Sequence, residues 1–249
     1  MLKIIAIGGG EIGRPGYPLE TTKIDKEIIN LTGKKHPKIL FIPTASSDSE
    51  NYCEIIKKYF GNRLKCKVSI LYLIKNKIDV KKISKIILSS DIIYVGGGDT
   101  LKMMTIWRKI GVNKILLKAA KRGIVLAGIS AGSICWFKNG NSDSRKFKNK
   151  NAKLIKVSGL NLINVLNCPH YDVELERKSI LKQMMKKTPG VAIALDNCCA
   201  MKIVGNKYQI ISSKSSAQAY RVYWHKGKYV EETIKKEKNL RLLEPLLIK

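Results

Sequence analysis

One serine in this chain stands where a hydroxyl could do chemistry. Ala127-Gly128-Ile129-Ser130-Ala131-Gly132 forms a Gly-x-Ser-x-Gly frame directly after the apolar run Ile124-Val125-Leu126. A strand that turns sharply into a helix there needs glycine on both sides, and it leaves the Ser130 hydroxyl exposed at the start of the helix. Amides at such a turn stabilise developing negative charge. The same frame also serves as a phosphate cradle or a plain packing turn, so the role of Ser130 depends on what else the chain supplies.

A serine hydroxyl needs a base within hydrogen-bond reach. The chain has three histidines: His36, His170 and His225. His36 lies among cations in Lys34-Lys35-His36-Pro37, and His225 lies in the hairpin-turn sequence Trp224-His225-Lys226-Gly227; both read as surface residues. His170, in Asn167-Cys168-Pro169-His170-Tyr171-Asp172, follows a strand-like run and is the base by elimination. A third group must orient the imidazole. Asp143, Asp172 and Asp196 all qualify by position, and spacing does not rank them. Two backbone donors are needed for an oxyanion. The Ala131 amide, next after the serine, is one. The other fits Gly97 or Gly98 in Gly96-Gly97-Gly98-Asp99, where no side chain blocks approach. That loop lacks the Gly-x-Gly-x-x-Gly and Gly-Lys-Ser/Thr patterns of nucleotide sites.

The elements that must position these groups alternate in type. Strands are expected at Lys3–Ile7, Lys38–Ile42, Lys67–Tyr72, Ile92–Val95 and Ile124–Gly128. Helices are expected at Thr22–Leu31, Glu50–Tyr59, Val80–Leu88, Thr100–Ile110 and Val112–Lys121. This rhythm predicts an α/β fold with a mostly parallel sheet and sites at the carboxyl ends of its strands. Gly8–Gly10, Gly96–Asp99 and Gly128–Gly132 then converge. Past Phe137 the chain turns polar, and Lys138–Lys153 reads as a surface loop or flap. Strands follow at Leu154–Val157, Leu162–Leu166, Val191–Leu195, Ala200–Val204, Tyr208–Ser212 and Ala219–Trp224, with a helix at Glu174–Lys187. The tail Glu231–Lys249 reads as a charged helix ending before Pro245. With no repeat and no linker, residues 1–249 read as a single α/β domain.

Composition limits the function classes. An apolar content of 45% over 249 residues supports a buried core, and no apolar run approaches the roughly 18 residues of a membrane span. The start Met1–Ile7 reads as a strand rather than a signal peptide, so a cytoplasmic protein is expected. None of the six cysteines forms a Cys-x-x-Cys pair; they read as small buried residues in a reducing compartment. The histidines are too few and scattered for a metal site, and no cofactor is implied. The formal charge of +28 raises nucleic acid as a partner. The basic residues are mostly lysine and run along the whole chain, with no RNA-binding aromatic signature or zinc-finger spacing, so no specific nucleic-acid partner is expected.

Four pieces, in order, carry a family resemblance: Gly96-Gly97-Gly98-Asp99-Thr100, Gly128-Ile129-Ser130-Ala131-Gly132-Ser133, Asn141-Ser142-Asp143-Ser144 and Cys168-Pro169-His170. Together they resemble the dipeptidase E family of serine peptidases, which includes cyanophycinases. The opening Ile7-Gly8-Gly9-Gly10-Glu11-Ile12 is similar to its bacterial peptidase E-like branch. The resemblance implies a class I glutamine amidotransferase-like three-layer α/β sandwich with serine at the elbow, Ser130 as nucleophile and His170 as base. It favours Asp143 as the acidic third member, with Gly97 or Gly98 and Ala131 as oxyanion donors. It also implies cleavage after an N-terminal aspartate, whose carboxylate Arg177 or Arg145 would receive. The family usually has asparagine at the position of Asp99; a carboxylate there disfavours a developing anion unless it points away or pairs with a cation, and could alter substrate preference.

The leading expectation is therefore a serine-type peptidase acting on short peptides through an acyl-enzyme on Ser130. A second is another amide hydrolase or an amidotransferase-like enzyme using a cysteine, with Cys135, five residues past Ser130, expected to be buried inside the helix. A third is a non-catalytic binding module for a polyanion. Monomer and homodimer are equally compatible with the sequence.

Overall fold

Alternating apolar residues build the central sheet. The computed structural model describes residues 1–76, 78–173 and 175–249. The first half runs β1 (Lys3–Ile7), α1 (Thr22–Asn30), β2 (Lys38–Ile42), α2 (Glu50–Ile56), β3 (Lys67–Ile70), α3 (Val80–Leu88), β4 (Ile92–Val95), α4 (Thr100–Ile110), α5 (Val112–Lys121), β5 (Val125–Ile129) and α6 (Ala131–Ile134). The second half runs β6 (Phe137–Ser142), β7 (Ile155–Ser158), β8 (Ile163–Cys168), α7 (Leu175–Lys186), β9 (Val191–Leu195), β10 (Cys199–Val204), β11 (Lys207–Ser212), β12 (Ala219–His225), β13 (Lys228–Thr233), β14 (Arg241–Leu242) and α8 (Glu244–Leu247).

Among the described residues the strands form two sheets. One has eight strands in the order β14-β11-β10-β1-β5-β4-β2-β3; the other has six, β13-β12-β9-β8-β6-β7. The strands β1, β5, β4, β2 and β3 run parallel, as the alternating pattern requires. Period-two side-chain alternation explains why this sheet is covered on both faces. Ile4, Ala6, Leu40, Ile42, Ile93 and Val95 face one apolar cluster, which the second sheet shares through Val165, Val191 and Ile193. Ile5, Ile7, Ile39, Phe41, Ile92 and Tyr94 face the other, against Ile24 and Ile28 of α1 and Cys53 and Ile56 of α2. The outer face of the second sheet packs Ala192 and Ala194 against Leu181 and Met185 of α7.

The α/β class and the parallel half match expectation; the second half departs in three places. Lys138–Lys153 is not wholly a surface loop: β6 lies inside the second sheet, parallel to β8 and antiparallel to β7. Its Asn-Gly-Asn-Ser sequence has low strand propensity, but burial decides the conformation. A Cβ on Gly140 would lie 2.3 Å from Ile134 Cγ2, so glycine is what lets this strand approach the helix behind it. The tail is not one continuous helix. Its first part is β13, an edge strand paired with β12 through the tight turn at Lys226-Gly227. The charges of this strand, Lys228, Glu231 and Glu232, protect an exposed sheet edge from further pairing. Pro245 sits in the first turn of α8 rather than after a helix end. The expected helix Glu174–Lys187 is found as α7; Glu174 itself lies outside the described residues.

A buried carboxylate in α1 sets a pH dependence. Asp25 is fully buried. Its Oδ2 accepts hydrogen bonds from Thr21 Oγ1 at 2.7 Å and Tyr59 Oη at 2.9 Å, while Oδ1 has no partner. Burial raises its pKa from 3.8 to about 7, against the lowering effect of the two hydroxyls. The folded state therefore binds this proton more tightly than the unfolded chain. The resulting stability is complete below about pH 4 and is lost as pH rises to about 7, with a magnitude on the order of a few kcal/mol. We expect denaturant titrations of the wild type to show this fall and those of Asp25→Asn to lack it. Parallel profiles for the two proteins would contradict the account.

Candidate active site

Ser130 occupies the turn between β5 and α6 with φ 56° and ψ −112°, a region that residues other than glycine rarely adopt. The surroundings hold it there. Its amide donates to Ile7 O at 3.1 Å, and its carbonyl accepts from the amides of Ser133 and Ile134. The flanking glycines are required by close approach. A Cβ on Gly128 would lie 2.3 Å from Gly132 O, and one on Gly132 would lie 2.0 Å from Val95 O. This is the strained strand-to-helix elbow that the frame suggests.

The structure brings the expected base to it. His170 follows β8 with φ 54°, and its amide donates to Gly8 O at 3.3 Å. Its Nε2 lies 2.8 Å from Ser130 Oγ. Its Nδ1 lies 2.7 Å from Oδ1 of Asn197, in the loop from β9 to β10. An amide oxygen accepts, so Nδ1 carries the proton and Nε2 presents its lone pair to the hydroxyl. The site is thus assembled across both sheets, with Ser130 from the first, His170 from the second and Asn197 from the segment joining them.

Among the described residues, the contact on Nδ1 is to an amide, Asn197, and not to Asp143, Asp172 or Asp196. Asp143 precedes the 3-10 turn Ser144–Phe147 and makes no capping side-chain bond there. Asp172 and Asp196 instead shape the loop that carries Asn197. Asp172 Oδ1 accepts from the Asn197 amide at 2.8 Å, and Asp196 Oδ2 accepts from the Gln218 amide at 2.8 Å. Asn197 lies next to Asp196, and spacing alone carries no signal that an amide rather than a carboxylate meets the imidazole. Gly9 closes the arrangement from β1. A Cβ there would lie 1.9 Å from Asn197 Oδ1 and 2.4 Å from His170 Nδ1.

The Gly-rich loop after β4 runs beside the serine. A Cβ on Gly97 would lie 3.4 Å from Ser130 Cβ, and the Gly97 amide lies 3.4 Å from Tyr52 Oη. Gly98 has φ +133°, and a Cβ there would lie 2.3 Å from Ala45 O. Ala131 opens α6 directly after Ser130 and is buried. Tyr52, which the sequence did not single out, keeps its phenol protonated, because burial pushes its pKa up to about 12.

None of the three residues expected to contact substrate, Asp99, Arg177 and Arg145, lines the cavity beside Ser130. Asp99 caps α4, its Oδ1 accepting from the Lys102 amide at 3.0 Å, so its carboxylate is turned to its own helix. Arg177 is buried and donates from Nη1 to Asn141 O at 2.8 Å, tying α7 to β6. Arg145 is exposed in the 3-10 turn. The cavity onto which Ser130 opens has a volume of about 350 Å³. Cys135 is fully buried, its Sγ donates to Gly132 O at 3.2 Å, and burial holds its thiol pKa well above the usual value. No helix among the described residues is long and apolar enough to cross a membrane.

A serine elbow with a histidine in contact, on a two-sheet α/β scaffold, is the geometry of a hydrolytic enzyme. The model of peptidase family S51 matches residues 4–211, and this chain belongs to that family. The dipeptidase E resemblance read from the four motifs therefore holds. The chain is 36% identical over 226 residues to the uncharacterized peptidase YgaJ of Bacillus subtilis (strain 168), covering 89% of this chain and 92% of that one. It is 30% identical over 154 residues to the uncharacterized peptidase Lmo0363 of Listeria monocytogenes, covering 57% and 68%. Its fold is similar to a peptidase from an acI-B1 Actinobacterium, with TM-score 0.73, 20% identity and 96% of both chains covered. It is also similar to a protein provisionally assigned as peptidase E from Listeria monocytogenes EGD-e, with TM-score 0.64, 20% identity and coverage of 85% and 98%.

Proposed function

We propose that this chain is a serine peptidase that hydrolyses short peptides through an acyl-enzyme on Ser130. The observation that carries the reading is the 2.8 Å contact between Ser130 Oγ and His170 Nε2, with Nδ1 bound to Asn197. Ser130 Oγ attacks the scissile carbonyl carbon as its proton passes to Nε2. The carbonyl oxygen takes up the negative charge and is stabilised by the amide of Ala131 and that of Gly97 or Gly98. The tetrahedral adduct collapses, the C–N bond breaks, and the leaving amine takes the proton from Nε2. Water then attacks the ester with the same histidine as base, releasing the acid and restoring Ser130.

Asn197 is neutral, so it sets the imidazole tautomer and orientation without supplying a counter-charge to the imidazolium. Cys-His-Asn enzymes use an amide in the same role. Cysteine chemistry at the elbow has no support, because Cys135 is sealed in the core. The resemblance further implies dipeptides with an N-terminal Asp. The arginines named for that carboxylate do not line the cavity, and side-chain preference is taken up below from the residues that do.

A fluorophosphonate probe tests the assignment. We expect one adduct per chain, located at Ser130, with parallel loss of hydrolysis across a dipeptide panel and no inactivation of the native protein by iodoacetamide. Labelling that persists in Ser130→Ala, or hydrolysis retained by that variant, would overturn it.

A further inference from the structure

The cavity beside Ser130 carries a preference of its own. Its walls include Ile12, Tyr52, Ile55 and Ile129, with Gly97 and Ser130 at one end. Ile12 and Ile129 are buried, so the inner surface is apolar. The lining also holds Ser49 and Asn51 and two charged residues, Glu11 and Arg14, which neutralise each other. Arg14 Nε donates to Glu11 Oε2 at 2.7 Å and Nη2 donates to Oε1, a bidentate pair. The guanidinium also stacks over the Tyr17 ring at 4.6 Å. The neighbouring carboxylate of Glu20 accepts from the Glu11 amide at 3.0 Å and pairs with Lys214. The one cation in the lining is thus already matched.

We infer that this cavity receives the apolar side chain of a short peptide's N-terminal residue, and that the Glu11–Arg14 pair excludes an acidic one. The inference rests on the peptidase reading and names the substrate class for that site. A leucine or phenylalanine side chain gains by leaving water for the isoleucine walls. An aspartate would bring a carboxylate into a largely apolar space and would have to share the Arg14 guanidinium with the Glu11 carboxylate, a like charge. The volume of about 350 Å³ lies in the range of small-ligand sites and accommodates such a side chain.

Calorimetric titration of the Ser130→Ala protein with Leu-Ala, Phe-Ala and Asp-Ala tests this without turnover. We expect Leu-Ala or Phe-Ala to bind at least tenfold more tightly than Asp-Ala. Adding Glu11→Gln leaves the shape but frees the charge of Arg14, and should tighten Asp-Ala about tenfold with little change for Leu-Ala. Adding Arg14→Gln instead should weaken Asp-Ala further and spare Leu-Ala. Tighter binding of Asp-Ala, no binding of any of the three, or an unchanged ratio in both Glu11→Gln and Arg14→Gln would overturn the inference. Wild-type turnover separates the two claims. An apolar binding preference without hydrolysis sinks the peptidase reading and leaves the cavity assignment standing. Hydrolysis that favours Asp-Ala does the reverse.

Discussion

Replacing His170 by alanine should lower kcat on any dipeptide the protein cleaves by roughly ten-thousand-fold to a million-fold, the range seen when the base of a serine nucleophile is removed. The reason is local. Ser130 Oγ has Nε2 of His170 at 2.8 Å, and no second histidine approaches: His36 bonds Lys65 O and His225 is the exposed last residue of β12. The binding surface is untouched, so KM should change far less than kcat. Asn197→Ala should cost less, about a hundredfold, because it loosens the imidazole without removing it. It should also leave fluorophosphonate labelling measurable but slow. The check is steady-state kinetics of the three proteins, with far-UV circular dichroism to confirm an unchanged fold. Wild-type turnover in His170→Ala would remove the imidazole from the mechanism altogether.

The second large effect is expected from the smallest possible change. Gly9→Ala adds one methyl group to a residue that performs no chemistry. Built on the observed backbone, that carbon lies 1.9 Å from Asn197 Oδ1 and 2.4 Å from His170 Nδ1. Both are below contact distance, so the imidazole, the amide or the backbone must move. The backbone is poorly placed to give way: Gly9 O accepts from the Cys198 amide at 2.8 Å, and Gly8 N donates to Cys199 O at 2.9 Å. The side chains are displaced instead. A shift of about 1 Å in a catalytic group costs on the order of a hundredfold in rate. We expect kcat to fall by at least that factor while the protein still folds. Serine labelling should slow in parallel, since both need Nε2 at the hydroxyl. A Gly9→Ala enzyme with wild-type kcat would show that the loop accommodates the methyl and that the His170–Asn197 contact does not govern the rate.

These two positions differ in how far the sequence alone reveals them. His170 could be found by elimination, because the chain offers three histidines and one follows a strand. Gly9 reads as part of a generic glycine-rich strand end, and its importance comes from Asn197, which is 188 positions away in the chain. Arg177 shows the same limit from the other side. Its charge suggested a substrate contact, but a cation on a helix can equally be turned inward to tie that helix to a strand, as its bond to Asn141 O does. The polar stretch at β6 reads as loop because strand propensity is a local quantity, whereas its pairing with β7 and β8 is not.

What the amino-acid order determined was what short windows can encode. The period of apolar residues set the strands and helices of the parallel half, and the glycine frame set the elbow at Ser130. Four ordered motifs set the family. Tertiary structure alone decided which side chain orients the histidine, how the two sheets divide the later strands, and which charges line the cavity. Each of those outcomes depends on contacts between residues far apart in the chain. The bridge between Gly9 and Asn197 is the clearest case: hydrogen-bond geometry is set there to tenths of an ångström by two loops from different strands, and no periodicity records where they meet.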